Sequence, residues 1–196
     1  MKYENIYSSE KSIIFDGPLL ISPKIFQDER GYFYESWNQK LFNNIIGKTV
    51  SFCQDNHSSS SKGVLRGLHY QIEPIPQGKL LRVTSGSIFD VIVDLRKTSK
   101  TFGKWAGVKL DNIKKQQLWI PSGFAHGFLT ISDFAEVQYK TTNYWSKDHE
   151  KTILWNDERI NIIWPLEKLM KQKLIISNKD MAGKSLEFMK NSGFVF

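Results

Sequence analysis

Short β-prone runs recur along this chain with turn chemistry between them, and that alternation most constrains how it can fold. Residues 87–95 (SIFDVIVDL) set Phe89, Val91, Val93 and Leu95 on one face and Asp90, Ile92 and Asp94 on the other, the two-residue period of a strand. Leu81 and Val83 precede this run across Thr84-Ser85-Gly86, a spacing that predicts a hairpin. Further strands are predicted at residues 19–26, 31–37, 50–54, 65–71, 107–110, 117–120, 127–131 and 135–141. Turns are expected at 28–31, 58–63, 101–103 and 121–123, where Gly, Pro, Ser and Asp gather. Many short strands at this spacing describe an antiparallel sandwich or barrel.

Helix is scarce. Leu41, Phe42, Ile45 and Ile46 have helical spacing within Gln39–Ile46, and Gly47 is placed to end that helix. A second short helix is expected near 165–170, with Pro165 in its first turn. Residues 181–196 (MAGKSLEFMKNSGFVF) carry no assigned role.

Composition narrows the class. The 196 residues are enough for one domain with a full hydrophobic core. Single Cys53 allows no internal disulfide, so the chain does not depend on an oxidising compartment. No apolar run reaches the ~18 residues of a membrane span, and the first thirty residues lack a secretory pattern. A cytoplasmic protein without membrane association is expected. The net charge is +7, from 27 Lys and Arg against 20 Asp and Glu, but these are scattered. Even the densest cluster, KLMKQK at 168–173, reads as a solvated face. No nucleic-acid partner is expected, although a positive field favours small polyanions.

Of four histidines, His57 and His149 fall in polar loops, while His69 and His126 have more suggestive settings. Strict alternation would put Arg66 and His69 on opposite faces, unless a bulge at Gly67 brings both to one cavity. A metal site in a β-barrel commonly uses His-x-His, but Gln71 stands two positions after His69, so no metal is expected. The chain also lacks Gly-x-Ser-x-Gly, Gly-x-Gly-x-x-Gly and the P-loop pattern.

Six blocks then occur in order: DERGYFYES (28–36), QDNHS (54–58), LRGLHYQ (65–71), QGKL (77–80), LWIPSGFAHGF (118–128) and ILWND (153–157). With these blocks, the chain resembles the dTDP-4-dehydrorhamnose 3,5-epimerase family from about residue 20 to 180. The resemblance implies a mostly β, cupin-type jelly-roll with a few short peripheral helices, acting as a cofactor-independent enzyme on a dTDP-sugar. A neutral imidazole has a pKa suited to removing protons beside a ketone. By similarity that base is His69, oriented by Asp180, with Lys79 stabilising the enolate and Tyr139 the opposite-face acid. Similarity also marks Arg30, Phe33, Glu35, Gln54, Asn56, Arg66, His126, Glu150 and Lys179 as substrate contacts, with Trp145 where the family often stacks a tyrosine on thymine. Arg30 and Glu35 lie in a segment that crosses a dimer interface in this family, so a homodimer is implied. Two alternatives are a monoepimerase acting at one carbon and a non-catalytic sugar-nucleotide-binding cupin.

Overall fold

The structure is a computed structural model describing residues 1–10 and 13–196. In chain order its strands are β1 (Lys2–Tyr7), β2 (Ile14–Ser22), β3 (Ile25–Asp28), β4 (Gly31–Tyr34), β5 (Gln54–Ser61), β6 (Val64–Gln71) and β7 (Lys79–Ser85). They continue with β8 (Ser87–Asp94), β9 (Trp105–Asp111), β10 (Gln117–Ile120), β11 (Phe124–Thr130), β12 (Phe134–Thr141), β13 (Glu150–Thr152) and β14 (Ile175–Ile176). Helix α1 (Gln39–Ile46) follows β4, and α2 (Asn178–Met181) and α3 (Leu186–Asn191) follow β14.

One sheet has the order β1-β2-β10-β7-β12-β5 and the other β13-β6-β11-β8-β9, with β14 added parallel to β6. From β5 onward the chain passes back and forth between them, the winding of a cupin-type jelly-roll. Leu81, Val83, Leu118, Ile120 and Val137 of the first sheet meet Ile88, Ile92, Leu110 and Phe128 of the second in a closed apolar layer. A second layer lies outside the second sheet, where Val91, Val93 and Leu129 carry Ile160, Trp164, Leu186, Met189 and Val195. The third lies outside the first sheet, where α1 seats Phe42 on Leu19, Ile21, Leu80 and Trp119.

Helix α1 has the predicted bounds. The Asn38 side chain accepts from the Leu41 N–H at 3.0 Å, and Gly47 ends the helix with φ 70°. The expected helix at 165–170 is a 3-10 turn, Leu166–Leu169. The expected 81–95 hairpin does not form. β7 and β8 belong to different sheets, and Gly86, at φ 73°, turns the chain from one to the other. Alternation marks strands but not their partners, and both faces of β8 are buried. The expected turn at 58–63 also shrinks to Lys62-Gly63, and the expected 50–54 strand starts only at Gln54. Residues 58–61 instead end β5, an edge strand paired with β12, where Ser59 and Ser61 meet solvent and Ser60 turns inward. Pro23 lies in the break that divides the 19–26 run between β2 and β3.

The tail 181–196 is ordered against the second sheet. The Asp157 carboxylate accepts from the backbone N–H of Arg159, Ile160 and Leu186, and Ser185 caps α3. Phe196 then pairs with Leu95 and Lys97 through its backbone. No helix among the described residues is long and apolar enough to cross a membrane.

Candidate active site

The site is built on a defect in β6. Opposite β11, Arg66 faces Phe128 and His69 faces His126, so three steps along β6 span two along β11. That bulge turns both Arg66 and His69 to one cavity, as the sequence allowed. Glycine is required there. Gly67 has φ 118°, and a Cβ would lie 2.6 Å from Gly127 Cα and 2.7 Å from the His126 carbonyl oxygen.

The same stretch receives the Asp180 carboxylate. β14 pairs with the start of β6 and delivers α2 beside it, where Ser177 Oγ accepts from the Asp180 N–H at 3.1 Å. Asp180 Oδ1 lies 2.6 Å from His69 Nε2, and its Oδ2 accepts from the Gly67 N–H at 3.1 Å. The predicted dyad is present. Because Nε2 is held, Nδ1 is the nitrogen available to act as a base.

The cavity has a volume of about 590 Å³ and opens beside a second lobe of about 340 Å³. Arg66, His69, Lys79, His126, Tyr139, Trp145, Glu150, Lys179 and Asp180 line the larger lobe. Gln54 and Asn56 line the smaller one. His69 and Asp180 enter from the second sheet and its flanking helix, whereas Lys79 and Tyr139 enter from the first. The His69 imidazole and the Tyr139 phenol therefore reach the cavity from opposite sheets.

Electrostatics separate the roles. Burial pushes the Lys79 ammonium down to about 8 while Glu150 and Asp90 oppose the fall; its Nζ donates to the His69 carbonyl at 3.3 Å. Burial, with Glu150 adding to it, pushes Tyr139 up, so the phenol keeps its proton at neutral pH. Burial also tends to raise Asp180, but His69, Gly67 and Ser177 outweigh it and hold the carboxyl below its ordinary value. Glu150 is likewise held low against burial, chiefly by its short hydrogen bond from Lys179.

Supporting contacts explain less obvious residues. Arg66 is steadied by Ser60 Oγ at 3.0 Å and the Ser59 carbonyl at 3.2 Å, both on the serine-rich edge strand. The Trp145 N–H donates to Gln54 Oε1 at 2.9 Å, leaving the indole half exposed at the cavity. Gln71 accepts from the Ser146 N–H and donates to the Ile75 and Tyr144 carbonyls, so its amide holds the loop carrying Trp145.

Three expected contacts lie elsewhere. Arg30, Phe33 and Glu35 belong to the β3–β4 hairpin and the residues just after it, and none lines either lobe. Phe33 is 71% exposed, Arg30 pairs with Asp28, and Glu35 accepts from Asn38. Asp90, by contrast, was not among the expected site residues. It is fully buried, with Oδ2 2.8 Å from His126 Nε2. The signal was a carboxylate on the same strand face as Ile92.

A family model described as dTDP-4-dehydrorhamnose 3,5-epimerase matches residues 12–187. The chain belongs to this family. It is 57% identical over 166 residues to the dTDP-4-dehydrorhamnose 3,5-epimerase of Shigella flexneri, covering 85% of this chain and 89% of the relative. The solved Legionella pneumophila dTDP-6-deoxy-D-glucose-3,5-epimerase, in complex with dTDP-4-keto-L-rhamnose, superimposes with a TM-score of 0.88 at 42% identity, covering 99% and 97% of the two chains. The Mycobacterium tuberculosis epimerase gives a TM-score of 0.91 at 35% identity, covering 100% and 93%. The protein is therefore an epimerase of cupin fold.

Proposed function

We propose that the chain inverts dTDP-4-dehydro-6-deoxy-D-glucose at carbons 3 and 5, giving dTDP-4-dehydro-L-rhamnose. The observation that carries this reading is the His69–Asp180 contact of 2.6 Å on one wall, with Tyr139 and Lys79 on the other. The 4-keto group acidifies the hydrogens on both neighbouring carbons. His69 Nδ1 removes one of them, and the C–H electron pair moves to the carbonyl oxygen as an enolate. Asp180 stabilises the resulting imidazolium, and the Lys79 ammonium faces the new negative charge. Tyr139 then donates its proton to the opposite face, collapsing the enolate to the inverted ketone. Solvent takes the proton from His69 and restores that of Tyr139, and the cycle repeats at the second carbon.

Arg66 supplies a planar fork for the diphosphate, Trp145 a stacking face for thymine, and Gln54, Asn56, Glu150, His126 and Lys179 further substrate contacts. The exposed β3–β4 hairpin suits a homodimer in which Arg30, Phe33 and Glu35 reach the partner's cavity, since two strands with exposed aromatics are poorly stable alone. The substitution His69→Ala tests the reading. It abolishes solvent-proton exchange into the sugar while dTDP binding persists. Retained exchange removes His69 from the base role.

A further inference from the structure

The epimerase reading leaves a buried carboxylate beside the cavity unused. Asp90 sits on the inner face of β8 between Ile88 and Ile92, with no exposed surface. A lone carboxylate in such a layer is strongly unfavourable unless opposite charges answer it. One oxygen, Oδ2, meets His126 Nε2 at 2.8 Å, and Oδ1 has no hydrogen-bond partner among the described residues. His126 is itself buried on β11, at the cavity wall.

Resting on the epimerase reading, we propose that Asp90 is a positioning residue. It fixes His126 with Nδ1 toward the substrate, and its negative charge keeps Lys79 protonated behind the enolate. Imidazole geometry supports the first part. An ionised Asp90 accepts from Nε2–H, so neutral His126 must present a bare Nδ1, and the bond sets its ring orientation. The charge environment supports the second. Lys79 enters from β7 and is answered by two carboxylates, Glu150 from β13 and Asp90 from β8, while Lys179 from α2 opposes its charge. Lys179 also claims the carboxylate of Glu150 through a hydrogen bond. Burial pushes the Asp90 carboxyl up, and His126 and then Lys79 oppose that rise; among the described residues no lysine or arginine is bonded to it. The remaining charged or titratable neighbours at the cavity are Arg66 and His69 from β6, Tyr139 from β12 and Asp180 from α2. A phenol that keeps its proton adds no charge, and the charge His69 gains is answered by Asp180.

Asp90→Asn keeps the shape and an acceptor oxygen while removing the charge. In lysine-labelled protein, NMR follows the Lys79 side chain directly, whether or not the enzyme turns over. The expected Lys79 midpoint lies near 8 in the unchanged protein and about half a pH unit or more lower in Asp90→Asn. The alkaline limb of kcat moves by the same amount, while KM changes less than about threefold. Coincident Lys79 titrations overturn the proposal. If Asp90→Asn does not fold, nitrogen NMR of His126 in the unchanged protein decides the matter: protonated Nε2 with bare Nδ1 is expected. The opposite tautomer makes Asp90 a neutral donor and overturns the proposal. Absence of deuterium exchange in the unchanged enzyme would count against the epimerase reading, and these two NMR readouts would still stand.

Discussion

Replacing Asp180 by Asn should disable the base without dismantling the cavity. Asp180 accepts two hydrogen bonds at once, from His69 at 2.6 Å and from the Gly67 N–H at 3.1 Å. An asparagine has one oxygen for these two donors. If that oxygen keeps the backbone N–H, the amide NH₂ must donate to His69 Nε2, forcing the proton onto Nδ1. The imidazole then presents a donor where the substrate needs an acceptor, and its cation loses the carboxylate that stabilises it. The analogous change in a hydrolase triad costs about 10⁴-fold in kcat. A loss of about 10³–10⁴-fold is expected here, which corresponds to about 4–5.5 kcal/mol of barrier. Folding stability should fall by only about 1–3 kcal/mol at neutral pH, the usual cost of an imperfectly satisfied buried bond. The sign with pH is set. Because the folded carboxyl is held below its ordinary value, its contribution is complete above that value and disappears as pH falls through the folded one. The stability gap between the two proteins should thus close in acid. Initial rates of deuterium wash-in from heavy water, with thermal melts at neutral and acidic pH, measure both effects. A variant that folds normally and exchanges within tenfold of the unchanged enzyme would refute the tautomer argument.

Lys79 makes a prediction in the alkaline range. Its ammonium is lost near pH 8 in the folded protein, so kcat should decline above about pH 8 in a full rate profile. A flat profile to pH 10 would remove the charge from the mechanism. Leu186→Ala should lower stability by about 2–5 kcal/mol in denaturant melts, because it empties a buried position under the C-terminal segment. A change below about 0.5 kcal/mol, the level of a surface substitution, would mean that the tail does not seal that layer. Trp145→Ala should weaken dTDP binding by about 1–3 kcal/mol, the cost of a lost base stack, with Trp145→Phe recovering most of it. Calorimetry with dTDP reads this directly, and unchanged affinity would place thymine elsewhere.

Legibility from sequence followed the range of the interactions. Helix α1 was readable to the residue, because its apolar spacing and Gly47 are local signals. The β6 bulge was readable as a possibility at Gly67, since glycine is the residue such a backbone demands. What alternation does not encode is which sheet a strand joins. The same glycine turn at 84–86 fits a hairpin and a passage between sheets, and the second is what forms. The serine run at 58–61 looked like a turn because its polarity comes from a position at the sheet edge. The sequence assigns the tail no role for a related reason. Its short helix depends on Asp157 and on an apolar layer supplied by distant strands. For the site, His69 and Asp180 are 111 residues apart, and residue spacing alone gives no reason to pair them. Family resemblance supplied that pairing. It supplied nothing for Asp90, whose only sequence mark was a charge on a buried strand face.

The central claim is proton removal at both carbons flanking the ketone by a His69 base. Incubating the unchanged enzyme with dTDP-4-dehydro-6-deoxy-D-glucose in heavy water, with a chelator present, and reading carbons 3 and 5 by NMR tests it most directly. The account predicts deuterium at both positions, and its loss in His69→Ala. Label at one carbon only would make the protein a monoepimerase, and label at neither would contradict the proposed chemistry.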